Sequence, residues 1–347
     1  MTLETEGRPQ VGGSLQHHCP VCSGPGINLY RGLTDRLYSA KGSWLLSRCT
    51  RGDCGHVWLN PAPLPADIGE AYADYYTHRL PPIRRGWLQS AFDAAKRGYL
   101  ANHFSYGGVA VWQRLLGCAV WLYPGRASEL NFSVMWLPGR KTGRVLDVGA
   151  GSGWLVAHLK SLGWDAEGLD FDPVAVEAAR ANGLKMHQGD LLEQRFADNS
   201  YDAITMSHFI EHIHAPADIL AEANRLLKKG GTLAIATPNS ASLGHRIFRA
   251  SWFALDPPRH LHLFNRRSLE RVLRSAGFQR FRVFSSIRDA NGAFLGSCAI
   301  ARDGRYDMHK RPTRVQQIAG RIAQIGELAV KGLNRDAGED LVAIAEK

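Results

Sequence analysis

Val145-Leu146-Asp147-Val148-Gly149-Ala150-Gly151-Ser152-Gly153 is the stretch on which the fold of this chain turns. An apolar run ends in an acid, meets glycine at alternate positions and opens onto Trp154-Leu155-Val156-Ala157-His158-Leu159-Lys160. The pattern predicts a strand, a tight turn and an amphipathic helix, the first half of a nucleotide-binding βαβ unit. Each glycine lacks a Cβ, so the backbone can turn sharply and a ligand can lie against it. A dinucleotide fingerprint needs its third glycine at position 154, where this chain has Trp154. A purely structural strand-to-helix turn would look the same, and the residues downstream separate the two readings.

After a helix over 154–163, the run Trp164-Asp165-Ala166-Glu167-Gly168-Leu169-Asp170 reads as a second strand, ending in an acid 23 residues beyond Asp147. An acid in that place can accept hydrogen bonds from both ribose hydroxyls. Asp172 and Pro173 stand as N-cap and first residue of a helix running to Asn182. A third strand, Leu184 to Gln188, runs into Gly189-Asp190. Asp190 is either a turn-former or an acceptor for an adenine amino group.

Tyr201 to Met206 is the fourth strand and delivers Ser207-His208-Phe209-Ile210-Glu211-His212. A helix over 216–228, ended by Gly230-Gly231, precedes a fifth strand over 232–237. A sixth strand over 278–286, an insert over 288–335 with a helix from Val315 to Leu333, and a last strand over 340–345 complete the pattern. Alternating strands and helices with short connections predict an α/β fold with a doubly wound, mostly parallel sheet, seven strands in all. Ligands in that architecture bind outside the carboxyl ends of the strands, where each of these polar clusters falls.

The N-terminal region follows other rules. Cys19-Pro20-Val21-Cys22 is one knuckle, and Cys49 and Cys54 form a second within Cys-Thr-Arg-Gly-Asp-Cys-Gly-His. Two close pairs around a hairpin-sized insert match a four-cysteine zinc ribbon over 15–62, following a tail over 1–14. Gly24 and Gly55 are expected to let the backbone fold around the metal, and His56 is an alternative ligand. Four protein ligands leave no open position, so the expected zinc is structural. A redox CxxC would need a thioredoxin-like context that is absent here.

Asn60-Pro61-Ala62-Pro63-Leu64-Pro65 ends the ribbon. Helical stretches over 66–77 and 85–102 and an apolar, Trp- and Tyr-rich segment over 108–137 then fill a linker or cap over 63–140, ahead of a catalytic domain over 141–347. Segment 108–137 reads as a helical cap, with peripheral membrane contact as the competing reading.

The 347 residues carry a net charge of +10 with 45 % hydrophobic and 21 % charged residues, ordinary for a globular protein. The charge would suit nucleic acid or an anionic membrane, yet no block of five or six basic residues concentrates it. The first 18 residues lack the apolar core of a secretory signal, and Gly108 to Tyr123 is too short to span a bilayer. The expected location is the cytoplasm. Cys118 and Cys298, outside the clusters, are read as small hydrophobes.

Taken together, DVGAGSG, the strand ending in Asp170, Gly189-Asp190, Ile210-Glu211-His212, Leu226-Leu227-Lys228-Lys229-Gly230-Gly231 and Thr237-Pro238-Asn239 resemble class I S-adenosylmethionine (SAM) methyltransferases. Within these the resemblance is to the branch containing the ubiquinone-biosynthesis O-methyltransferases, over about 140–287 and the final strand. The run Asp256-Pro257-Pro258-Arg259-His260-Leu261-His262-Leu263-Phe264 looks like one shared by bacterial members carrying a zinc ribbon.

The resemblance implies a Rossmann-like methyltransferase fold with SAM as methyl donor. Asp147, Gly149, Gly151 and Gly153 would hold its methionine part, Asp170 the ribose, and Asp190 with Leu191 the adenine edge. Ser207, at the mouth of strand four, joins the cofactor set. The quinone enzymes carry Glu-x-x-Glu-His after strand four, linked to a divalent cation. Here the matching positions are His208, Glu211 and His212, and the imidazole in first place disfavours Mg²⁺ and speaks against a catalytic divalent metal. His208, Glu211, His212 and His260 form the catalytic set, with an imidazole as general base for an acceptor hydroxyl; His262 lies on the same loop.

The resulting expectation is methyl transfer to a small-molecule or lipid- or sugar-linked acceptor, at oxygen. A nicotinamide dehydrogenase is disfavoured by Trp154. An RNA-modifying or nucleic-acid-binding ribbon protein is the alternative, but it lacks a concentrated basic patch with interleaved aromatics.

Overall fold

The computed structural model describes residues 15–64 and 87–347. The tail over 1–14, the helix expected over 66–77 and the first two residues of that expected over 85–102 lie outside the described residues.

Strand β4 (Arg144–Val148) ends in the glycine turn and is followed by helix α4 (Trp154–Ser161). Around it, β5 (Asp165–Asp170), α5 (Pro173–Ala181), β6 (Lys185–Gln188), β7 (Tyr201–Ser207), α6 (Pro216–Leu226) and β8 (Leu227–Pro238) follow in the expected alternation. Helix α8 (Arg266–Ser275), β10 (Arg280–Ser286) and β11 (Asp340–Glu346) complete the sheet. Its order is β10-β11-β8-β7-β4-β5-β6, seven strands. The five from β8 to β6 pair in parallel, while β11 lies antiparallel between β8 and β10. The chain winds outward from β4 in both directions, so the switch point lies between β4 and β7. There Asp147 registers with Gly168 on one side and Thr205 on the other.

Period-two alternation sorts side chains to the two faces. On β8, Leu233 and Ile235 join the core with α6 and α8, while Ala234 and Ala236 join the core with α4 and α5. The second core extends into helices α1 (Trp87–Phe104) and α3 (Pro124–Ser133) through Tyr99, Leu100 and Leu130, while α2 (Val111–Cys118) packs against α1. One boundary differs from expectation. The helix expected to reach Lys228 stops at Leu226, and β8 begins at Leu227, with a register shift between its pairings with Tyr201 and Ala203. Gly230, at φ +76°, therefore sits in an irregularity of the strand and does not end the helix.

The ribbon's strands β1 (Gly26–Leu33), β2 (Trp44–Cys49) and β3 (Val57–Leu59) form an antiparallel sheet that takes its fourth strand, β9 (His262–Leu263), from the Pro-Pro-Arg-His run. The ribbon thereby shares a sheet with the catalytic half. Buried Arg259 reinforces the join: its guanidinium donates to Asp35 in a bidentate pair (2.9 and 2.7 Å) and to Asp256 (3.0 Å from Nε). Asn265, N-cap of α8, donates to the Cys54 carbonyl at 2.8 Å.

Three more helices follow: α7 (Leu243–Phe248) after Pro238, and α9 (Ala290–Asp303) and α10 (Arg314–Leu333) in the insert. Among the described residues no helix is long and apolar enough to cross a membrane.

Candidate active site

The glycine turn wraps the carboxyl tip of β5. Gly149, Gly151 and Gly153 all take positive φ (76°, 51° and 78°), a region that L side chains rarely enter. A Cβ on Gly149 would lie 2.5 Å from Phe209, and one on Gly153 would lie 2.6 Å from Leu184. Asp170 organises the turn, its Oδ2 accepting from Gly151 N at 2.7 Å and its Oδ1 from Asp172 N at 2.9 Å.

Asp147 is buried one strand away and accepts from the Thr205 hydroxyl at 2.7 Å. Burial pushes its carboxyl up to about 7, with the Asp170 charge acting in the same direction. Burial also raises Asp170. Among the described residues neither carboxyl is in an ion pair with a Lys or Arg. The strand ends therefore hold two buried acids and no cation to match them.

Asp190 caps the turn at 191–193, accepting from Leu192 N at 2.8 Å, and Leu191 beneath it is buried. Ser207 is the half-buried last residue of β7.

Beyond Ser207 the chain makes a sharp exit. His208 holds φ +49°, uncommon for a residue with a side chain, and its N–H is tied to Ala236 O at 2.8 Å. Its ring lies between two carboxyls and a guanidinium. Nδ1 is 3.4 Å from Glu211, Nε2 is 3.9 Å from Asp340 and accepts from Arg288 at 2.9 Å. Burial opposes protonation of His208, but Glu211 and Asp340 outweigh it, and its pKa stands above the ordinary histidine value. Glu211 is fully buried; burial pushes it up, but the His208 ring 3.4 Å away and the imidazoles of His212 and His260 carry it down to about 2. Its Oε2 accepts from the Thr237 hydroxyl at 2.9 Å, while Oε1 makes no hydrogen bond.

His212 and His260 meet ring to ring, centroids 4.8 Å apart. Each donates from Nδ1 to a backbone carbonyl, of Arg259 (3.0 Å) and Ala254 (2.8 Å) respectively. Burial, with His260 alongside, lowers His212 to about 4, so it is neutral near pH 7. One donor atom each from Glu211, His212 and His260 lie within 4.8 Å of one another. That set of two nitrogens and a carboxylate fits a transition ion better than Mg²⁺. His208, the position matching the quinone enzymes' first carboxylate, is not in this group.

His262 has a different place from the one its sequence neighbours suggest. It is buried on β9, and its Nδ1 is 3.0 Å from Nε2 of His56. Both rings are pushed by burial well below the ordinary range, His262 to about 4. The pair serves the joint between ribbon and catalytic half, packed with Phe264.

In the ribbon, Cys19, Cys22, Cys49 and Cys54 bring their sulfurs within 4.8 Å of one another, and all four are free thiols. The closest pairs, Cys19 with Cys54 (3.8 Å) and Cys22 with Cys49 (3.4 Å), are near the edge of about 3.8 Å that a tetrahedron with ~2.3 Å Zn–S bonds requires. The four cysteines thus fit a closed zinc site. Gly55 supplies the left-handed turn of the second knuckle (φ +61°), but in the first knuckle Ser23 does so (φ +56°) in place of Gly24.

Sequence reasoning missed the other walls of the His208 site. Arg288 and Asp340 come from the insert and the last strand, and Phe132 of α3 lies 6.1 Å from the His208 ring. The Arg288 guanidinium sits 3.6 Å from the Phe132 ring centre. No local pattern marks these residues, because each is distant in the chain and contributes a single side chain.

A family model described as a methyltransferase domain matches residues 126–281, beginning inside α3. The chain is 31 % identical over 234 residues to a malonyl-[acyl-carrier protein] O-methyltransferase of Methylococcus capsulatus, covering 65 % of this chain and 74 % of that protein. It is 35 % identical over 128 residues to a ubiquinone biosynthesis O-methyltransferase of Xanthomonas oryzae pv. oryzae, covering 34 % of this chain and 54 % of that protein. The chain thus spans about half the length of the ubiquinone enzyme. A solved SAM-dependent methyltransferase from Archaeoglobus fulgidus is similar at 21 % identity with a TM-score of 0.44, over 65 % of this chain and 93 % of that one.

Proposed function

The chain belongs to the class I SAM-dependent methyltransferases, and from that premise we propose that it methylates an oxygen of a small, lipid-linked or sugar-linked acceptor, with an imidazole taking the acceptor's proton. The observation that carries this reading is the pair of buried carboxyls, Asp147 and Asp170, beside a glycine turn with no cation of its own. SAM brings a sulfonium and an ammonium, the positive charge such a site lacks. In this reading Asp147, Gly149, Gly151 and Gly153 hold the methionine end and Asp170 the ribose. Asp190 and Leu191 take the adenine, and Ser207 borders the donor at the mouth of β7.

Methyl transfer is an in-line displacement, so the protein's main task is alignment of donor and acceptor. A hydroxyl acceptor must also lose its proton, and a base with a pKa near the working pH serves best. His208 is the candidate: Glu211 and Asp340 hold its pKa above the ordinary histidine value, and Glu211 would stabilise the imidazolium formed. Phe209, against Gly149, links this base to the donor turn. Glu211, His212 and His260 are the residues that would hold a metal ion, which would act there as a Lewis acid on the acceptor oxygen.

His208→Ala and His260→Ala are each expected to cut turnover by roughly 10²–10⁴-fold, leaving SAM affinity near that of the parent. Transfer of labelled methyl from SAM into acceptor-containing extract, beside calorimetric titration with SAM and its demethylated product, measures both. Unchanged turnover in both variants would remove the imidazole base.

Structural zinc in the ribbon is the second part of the proposal. The purified chain should contain about one zinc per molecule by elemental analysis. Cys22→Ser should lose it and unfold at lower temperature. A metal-free chain that keeps its full thermal stability would contradict the assignment.

A further inference from the structure

Two helices of this chain are turned inside out. Helix α10 buries Gln324 and Glu327, while Val315, Ile318, Ile322, Ile325 and Leu333 are 58–93 % exposed. The first four are spaced three, four and three residues apart, so they form one stripe along the helix. Helix α2 repeats the arrangement, burying Gln113 and presenting Val111, Trp112, Leu115 and Leu116. The turn that follows it adds Trp121 and Leu122. A soluble face of this apolar content marks a contact surface. Among the described residues nothing covers either stripe.

The charges on these faces have one sign. The sequence holds no Asp or Glu between positions 94 and 128, and the one acid of α10, Glu327, is buried. Arg114, Arg314 and Arg321 stand exposed among the apolar side chains. A second copy of the chain is a poor match, because a two-fold contact sets a patch against itself and these arginines would meet like charge. An anionic lipid surface matches both properties, and tryptophans are at home at the level of its headgroups.

Both stripes connect to the acceptor end of the site through α3, which α10 touches and which follows directly on the 119–122 turn after α2. A Cβ on Gly125 of α3 would lie 2.3 Å from Oε1 of Gln324, so α3 and α10 touch. Gln324 donates to Ile287 O at 2.9 Å, beside Arg288, and α3 carries the Phe132 that faces His208.

We propose that the exposed faces of α2, its 119–122 extension and α10 dock on an anionic bilayer, which sets the His208 end of β7 against the membrane and selects acceptors that reside in it. The choice of acceptor rests on the methyl-transfer reading; the docking does not. Co-sedimentation of the full chain with phosphatidylcholine vesicles, with and without about one third phosphatidylglycerol, tests it. Binding to the anionic vesicles should exceed that to neutral ones by at least about tenfold and weaken with salt. Leu115→Ser/Ile322→Ser and, separately, Arg114→Glu/Arg321→Glu should each reduce it by about tenfold or more, with melting temperature and SAM affinity unchanged.

Equal or absent binding to the two vesicle types would overturn the proposal. So would a dimer in light scattering that Leu115→Ser/Ile322→Ser dissociates, since the occupant would then be a second copy. Vesicle binding by a chain that does not bind SAM would support the docking while removing the methyl-transfer reading.

Discussion

Asp170→Ala should weaken SAM binding at least about 100-fold in calorimetric titration. A hydrogen bond to a charged acceptor contributes about 1.5–3 kcal/mol, and the two ribose hydroxyls would lose two of them, about 3 kcal/mol at the low end. The same carboxylate also accepts from Gly151 N and Asp172 N, so its removal also frees the glycine turn. Asp170→Asn keeps one good acceptor and should fall between alanine and the parent. A change within about threefold for alanine would mean that Asp170 only shapes the turn, and the ribose assignment would go.

Arg259→Met has the largest expected effect on stability. The arginine is fully buried with its guanidinium shared between Asp35 and Asp256, and its charge lies 4.5 Å from the Tyr38 ring centre. Removing one partner of a buried ionic cluster costs about 3–5 kcal/mol, because the remaining charges stay buried and unmatched. Differential scanning calorimetry should show the midpoint fall by roughly 5–10 °C. Arg259 lowers the Asp35 carboxyl below its ordinary value, despite burial that works the other way. The stability that Asp35 contributes is therefore complete above about pH 3.9, the unfolded value, and is lost as pH falls through the lower folded value. In Arg259→Met this acid-linked loss should shrink or reverse, because burial then raises Asp35 without the guanidinium to oppose it. A midpoint within about 2 °C of the parent would show that the cluster contributes little net stability.

Arg259 also joins parts that the sequence presents separately. It pairs with a residue 224 positions away, and its carbonyl accepts from His212. Loosening it should disturb the His212–His260 contact as well as the ribbon, so loss of activity and loss of stability are expected together in this variant.

Local chemistry was legible in the chain. The glycine turn, the acid closing the second strand and the paired cysteines each act within a few residues, where backbone geometry and residue type suffice to state what forms. The mostly parallel, doubly wound sheet followed from the alternation of strand and helix patterns, and β4 to β8 pair in parallel as that alternation predicts.

What needed the folded chain was every decision made across distance. Residues His260 and His262 are two apart, yet one meets His212 beside Glu211 and the other meets His56 in the ribbon joint. Arg288 and Asp340 fix the state of His208 from two later segments. Residue pattern marked a helix over 315–333 and an apolar segment over 108–137, but not that α2 and α10 would turn polar sides inward. A local pattern sets which side chains share a face. Which face is buried depends on the total apolar and polar area that neighbouring elements bring to it, and that sum exists only once the chain has folded.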